Sequence, residues 1–119
     1  EDLRAANLSL GSGVITVLDE TRDIKETLKL IAHFFDEESC GKCYPCQIGT
    51  RRQREILDRI SAGWTRPGDM ERLLKIGTTM TETSLCGLGQ SAASAVTSAI
   101  HKWPELFTAV RQPAGKARR

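Results

Sequence analysis

EESCGKCYPCQIGTRRQ, residues 37–53, places three of the chain's four cysteines, Cys40, Cys43 and Cys46, within seven residues. The fourth, Cys86, stands far downstream in SLCGLGQ, residues 84–90. Two-residue gaps call for a tight, curling loop; Gly41 removes a side chain inside it and Pro45 bends it before the third sulfur. A triplet and a singleton reach one place only if the segments between them fold back, and those segments read as helices.

Ahead of the loop, Asp23-x-x-Glu26 resembles a capping box, and Ile24, Leu28, Ile31 and Phe35 recur at helical spacing, which predicts a helix ending near Asp36. A second helix is predicted to start just after Cys46, with Ile48, Ile56, Leu57 and Ile60 inward and Gly63 as its C-cap. RPGD, residues 66–69, reads as a turn, with Asp69 as N-cap of a third helix bearing Met70, Leu73, Leu74, Ile76 and Met80. After the Cys86 loop, Ala92, Val96, Ala99, Ile100 and Trp103 form a stripe on a fourth. Pro104 ends it and is placed to begin a short fifth, PELFTAV. The expected fold is mainly α, a small four-helix bundle in which both cysteine loops precede helices and meet at one end.

The N-terminal stretch differs. Val14-Ile15-Thr16-Val17-Leu18 is β-branched and framed by turn residues, so it reads as one strand. A lone strand cannot satisfy its own ladder, so it is expected to pair outside this chain or to act as an extended arm. The expected organisation is an arm over 1–20 that ends a preceding sheet-containing region, a helical domain over 21–111, and a disordered basic tail over 112–119. Opening on Glu1 rather than Met fits a processed or truncated chain.

The 119 residues suit one domain with a modest core, and 39% apolar with 27% charged residues is ordinary for a globular protein. No apolar run is long enough to cross a bilayer, and no signal-peptide pattern is present. Setting Lys116, Arg118 and Arg119 aside from the 17 basic residues leaves 14 against 15 acidic ones, a net of −1. With that near-neutral body, and aromatic residues scarce, nucleic acid is not an expected partner. Cysteines without a secretion signal suggest reduced thiols and a cytoplasmic location.

A cubane [4Fe–4S] cluster offers four irons, each taking one thiolate, which suits three closely spaced cysteines and one remote one. Structural zinc is the alternative, but it usually takes two Cys-x-x-Cys knuckles, and here one would be incomplete. A disulfide or a redox Cys-x-x-Cys fits less well. Gly87 and Gly89 are expected to let backbone N–H groups approach the sulfurs, and the Arg51, Arg52 and Arg54 run either offsets cluster charge or forms a solvated face. His33 and His101 are weak ligand candidates, Met70 and Met80 read as core, and Gly11-x-Gly13 lacks the helix a dinucleotide fingerprint needs. Glu37 and Glu38 have no identifiable partners, and no catalytic set emerges.

ESCGKCYPCQIGT and SLCGLGQSA together resemble the C-terminal iron–sulfur domain of the NADH-binding flavoprotein subunit of respiratory complex I, and of diaphorase-type subunits of NAD-dependent formate dehydrogenases and NAD-reducing hydrogenases. The family pattern E-S-C-G-x-C-x-P-C-R-x-G, then S-L-C-x-L-G, is matched at Glu38, Ser39, Cys40, Gly41, Cys43, Pro45, Cys46 and Gly49, and at Ser84, Leu85, Cys86, Leu88 and Gly89. LGSGVITVLD resembles the entry segment from a preceding ubiquitin-like region. The resemblance implies one [4Fe–4S] cluster held by Cys40, Cys43, Cys46 and Cys86. It implies electron relay from a flavin mononucleotide, reduced by NADH in an upstream domain, to clusters in partner subunits. Tyr44 and Gln47 stand where complex I relatives commonly carry Thr and Arg, a form closer to formate dehydrogenase diaphorase subunits. Loss of that charge beside a sulfur is expected to lower the potential.

Overall fold

A computed structural model describes residues 2–6 and 8–108. The elements are helices α1 (Asp2–Ala5), α2 (Ile24–Glu38), α3 (Tyr44–Ser61), α4 (Asp69–Thr83), α5 (Gly87–Ser91) and α6 (Ser94–Lys102), then a 3₁₀ turn, Pro104–Phe107. The mainly α bundle is as expected. The stretch expected to pair outside this chain or to act as an extended arm, Val14 to Leu18, joins no β-ladder among the described residues, and its Val14, Ile15 and Val17 are exposed. β-Branching favours extended backbone, but with no neighbouring strand among the described residues there is no ladder to join. The basic tail, 112–119, lies outside the described residues.

Asp23 caps α2 by accepting from the Lys25 N–H at 2.9 Å. The other half of the expected capping box is absent, because Glu26 turns outward to Lys29 (3.2 Å) and Ser61 (2.7 Å). That second contact begins a ladder along α3: Glu26 to Ser61, His33 Nε2 to Asp58 at 2.6 Å, and Asp36 to Arg54 at 2.9 Å. Residue numbers fall on α3 as they rise on α2, so the two helices run antiparallel. Likewise Gly49 faces Met80, and Arg59 meets Asp69, so α3 and α4 are antiparallel. The alternation carries the ends of α2 and α4, and the starts of α3 and α5, to one end of the bundle.

The buried face of α3 is not the apolar stripe expected. Cys46, Thr50, Gln53, Ile56, Leu57 and Ile60 point inward, whereas Ile48 is 51% exposed. A step of 100° per residue puts position 48 on the flank opposite 46, 50, 53, 57 and 60, and two of those inward positions are polar. Both polar side chains are anchored by a donated bond, Thr50 Oγ1 to the Cys46 carbonyl (2.7 Å) and Gln53 Nε2 to the Ala92 carbonyl (3.0 Å), while Gln53 Oε1 has no partner among the described residues. Ile60→Ala should therefore cost about 2–5 kcal/mol and Ile48→Ser within about 0.5 kcal/mol, both readable by urea unfolding. Equal costs would contradict this face assignment.

α3 ends as expected. Gly63 takes φ +82°, and the Gly63 and Trp64 N–H groups bond back to the Ile60 and Arg59 carbonyls (3.1 and 2.8 Å), a Schellman closure. At α4 the N-cap is Gly68, and Asp69 makes no capping bond. Its buried carboxylate instead accepts from the Arg66 N–H (2.8 Å), Arg59 (2.6 Å) and Arg72 (3.0 Å). The expected fourth helix is split. It begins early, at Gly87, and breaks at Ala92–Ala93, where the Ala92 carbonyl is engaged by Gln53.

One core cluster joins Leu28, Ala32, Ile56, Leu57, Ile60, Leu73, Val96, Ala99, Ile100 and Phe107 across α2, α3, α4, α6 and the 3₁₀ turn. A smaller one, Met80, Ala92 and Ala93 with Phe35 and Ile76, lies toward the cysteine end. No helix among the described residues is long and apolar enough to cross a membrane.

Candidate metal centre

Each cysteine segment follows a helix that closes on a serine and leads into a helix that opens on a cysteine. Ser39 ends α2, Cys40 follows in the loop, and Cys43 is the N-cap of α3; Ser84 ends α4, and Cys86 is the N-cap of α5. Both cysteine caps are extended, so their carbonyls accept the first helical bonds, from Gln47 N (3.0 Å) and Gln90 N (3.2 Å). Pro45 fits the first turn of α3, where a missing N–H costs nothing. Thus α3 starts before Cys46, not after it, and Cys46 is carried on the helix and buried at 5% exposure. Gly41 takes φ +74°, and a Cβ there would meet only the Gln47 side chain at 3.7 Å, so backbone geometry rather than space is what it supplies.

The two loops meet. Backbone N–H groups of Leu85, first, and of Cys46 point at the Cys43 sulfur and hold its thiol below the ordinary range. A Cβ at Gly89 would stand 2.9 Å from Cys46 Cβ and collide with the Ser84 side chain. The amides at the Cys43 sulfur are thus those of Leu85 and Cys46, and Gly89 packs closely against Ser84 and Cys46. Gly89→Ala should cost about 1–3 kcal/mol by overpacking and lower the iron held per chain, measured by unfolding and metal analysis; a wild-type result in both would refute the contact.

All four cysteines are free thiols, Cys40 and Cys86 exposed and Cys43 partly so. Among the described residues, no three His, Cys, Asp or Glu side chains are gathered to hold a single metal ion. The donor set nonetheless fits a cluster that accepts one thiolate per iron. Four uncrosslinked sulfurs lie on two segments in contact, and a buried hydroxyl beside them, Ser84 Oγ, has no hydrogen-bond partner among the described residues. The other candidates go elsewhere. His33 binds Asp58, and His101 Nδ1 binds the Thr97 carbonyl at 2.7 Å. Arg54 (2.9 Å) and, at 4.0 Å, Arg51 pair with Asp36, and Arg52 with Glu55 (2.7 Å), so the arginine run is largely matched by carboxylates. Glu37 and Glu38 lie in the last turn of α2.

Ser39, Ser84 and Thr50 carry no role that is legible in the sequence. Their letters stand near cysteines or one turn after one, but only packing shows that Ser39 and Thr50 bond to Cys46 and that Ser84 faces the same Gly89 backbone as Cys46. Ser39 Oγ lies 3.3 Å from Cys46 Sγ.

A helical bundle that brings a cysteine triplet and a remote cysteine to one end defines a thiolate-rich, iron–sulfur-type domain. Residues 26–110 match the family model described as the NADH-ubiquinone oxidoreductase-F iron-sulfur binding region, and the chain belongs to that family, whose cofactor is one [4Fe–4S] cluster. It is 37% identical over 109 residues to the NADP-reducing hydrogenase protein HndC of Solidesulfovibrio fructosivorans, covering 92% of this chain and 22% of that protein. It is 34% identical over 102 residues to a component of the NADH-quinone oxidoreductase of Aquifex aeolicus, covering 86% and 24%. Among solved structures, the air-oxidized NAD+-reducing [NiFe]-hydrogenase superposes with a TM-score of 0.73 at 34% identity, over 86% of this chain and 18% of that one. The chain thus spans about a quarter of the length of these curated relatives.

Proposed function

We propose that this chain is the electron-relay module of an NAD-linked flavoprotein, with Cys40, Cys43, Cys46 and Cys86 as the ligands of its cluster. The observation that carries the reading is the contact between the two cysteine segments: Leu85 N–H at Cys43, and Gly89 against Cys46. When bound, a [4Fe–4S] cluster supplies one-electron storage. The chain's own residues hold the sulfurs, direct amides at Cys43, and shield Cys46 inside α3.

FMN and NAD belong, in this reading, to an upstream region of the parent polypeptide. Residues 1–20 are the link to it, and 21–111 the iron–sulfur domain. Its further partners are other iron–sulfur subunits, and its setting the cytoplasm. We take formate oxidation as the parent complex's chemistry on the strength of Tyr44-Pro45-Cys46-Gln47. The named relatives are hydrogenase and quinone-reductase proteins, which makes those two the competing parents.

The relay reading is tested by reduction. Dithionite should bleach the chain's visible absorbance, and NADH should do so only in a polypeptide that includes the flavin region. A chain whose absorbance neither reagent changes would be a docking domain with an inert metal.

A further inference from the structure

One serine hydroxyl touches Cys46, the buried one of the four cysteines, and a second is buried against the Gly89 backbone that Cys46 also faces. Ser39, the C-cap of α2, places Oγ 3.3 Å from Cys46 Sγ. Ser84, the C-cap of α4, is itself only 7% exposed, and its backbone is fully occupied. Its N–H donates to the Met80 carbonyl (3.1 Å), and its carbonyl accepts from Gln90 Nε2 (3.1 Å). Its hydroxyl is buried without a hydrogen-bond partner among the described residues. The bare Gly89 backbone faces both the Ser84 side chain and Cys46 Cβ, so hydroxyl and cysteine flank one spot. A buried donor left unpaired carries an uncompensated desolvation cost, and an apolar side chain of similar size would avoid it. A hydroxyl kept there calls for an acceptor that arrives with the ligand, and sulfur carrying negative charge is such an acceptor.

We propose that Ser39 and Ser84 are positioning residues that set the reduction potential, Ser39 by donating to the Cys46 thiolate and Ser84 to sulfur that arrives with the cluster. The inference rests on the cluster reading above. Reduction adds negative charge to the sulfurs, so hydroxyl donors stabilise the reduced state more than the oxidised one and raise the potential. Thr50 does not share this role, since its hydroxyl is spent on the Cys46 carbonyl.

The test is a redox titration, followed by electron paramagnetic resonance, on protein purified as its native host expresses it. Ser39→Ala and Ser84→Ala should each lower the reduction equilibrium about fivefold, about 40 mV for a one-electron couple. Ser39→Thr, which keeps the hydroxyl, should stay at the wild-type value. The signal comes only from loaded protein, so partial cluster loss does not obscure it. Unchanged potentials in both alanine variants, or a Thr variant that shifts as Ala does, would overturn the proposal. Wild-type protein without iron is a different outcome, and it would sink the cluster reading itself.

Discussion

Cys86→Ser should lose or convert the cluster and melt roughly 15 °C or more below the loaded wild type. Such a drop corresponds to about 4 kcal/mol of ligand-linked stability in a domain of this size. The effect can be isolated because Cys86 contributes little else. Its side chain is exposed, and as N-cap of α5 it makes no side-chain capping bond. Serine is a better cap than cysteine, so in metal-free protein the substitution should be neutral or mildly stabilising. The account thus expects opposite responses: a large loss in the loaded chain and none in the apo chain. Equal iron content and superimposable melting curves for loaded wild type and variant would remove Cys86 from the ligand set.

The second large effect lies at the other end of the bundle. Asp69→Ala should cost about 3 kcal/mol in urea unfolding. Its carboxylate is fully buried and accepts from the Arg66 N–H and from Arg59, whose side chain is 26% exposed. Removing it strands a guanidinium whose Nε already lacks a partner among the described residues. Arg72 adds less, being 56% exposed and screened by water. Replacing both partners, Arg59→Met with Asp69→Leu, should recover much of the loss, since the penalty comes from one charge left alone. Iron content at a permissive temperature should not change, because Asp69 opens α4 while the cysteines gather where α4 ends. A parallel loss of iron would mean that the two ends are coupled.

Helix positions were legible because Leu28, Leu73, Val96 and their neighbours repeat at helical spacing and because Asp23, Gly63 and Pro104 punctuate them. The meeting of the cysteine loops was legible for the same reason, since alternating helices return both loops to one end. Ile48 was misplaced because hydropathy alone cannot see that Thr50 and Gln53 are anchored inside by donating to the Cys46 and Ala92 carbonyls. Asp69 has the letters of a cap, yet two arginines and a turn amide outcompete the helix for its carboxylate. Val14 to Leu18 carries strand-forming side chains, but pairing depends on a second strand and not on propensity. Ser39 and Ser84 could be read only after burial was known, because a hydroxyl beside a cysteine becomes consequential when water is excluded.

Metal analysis of the purified protein tests the central claim most directly. About four irons and four acid-labile sulfides per chain are expected, with brown absorbance that dithionite bleaches. One zinc per chain, no sulfide and no visible absorbance would contradict it.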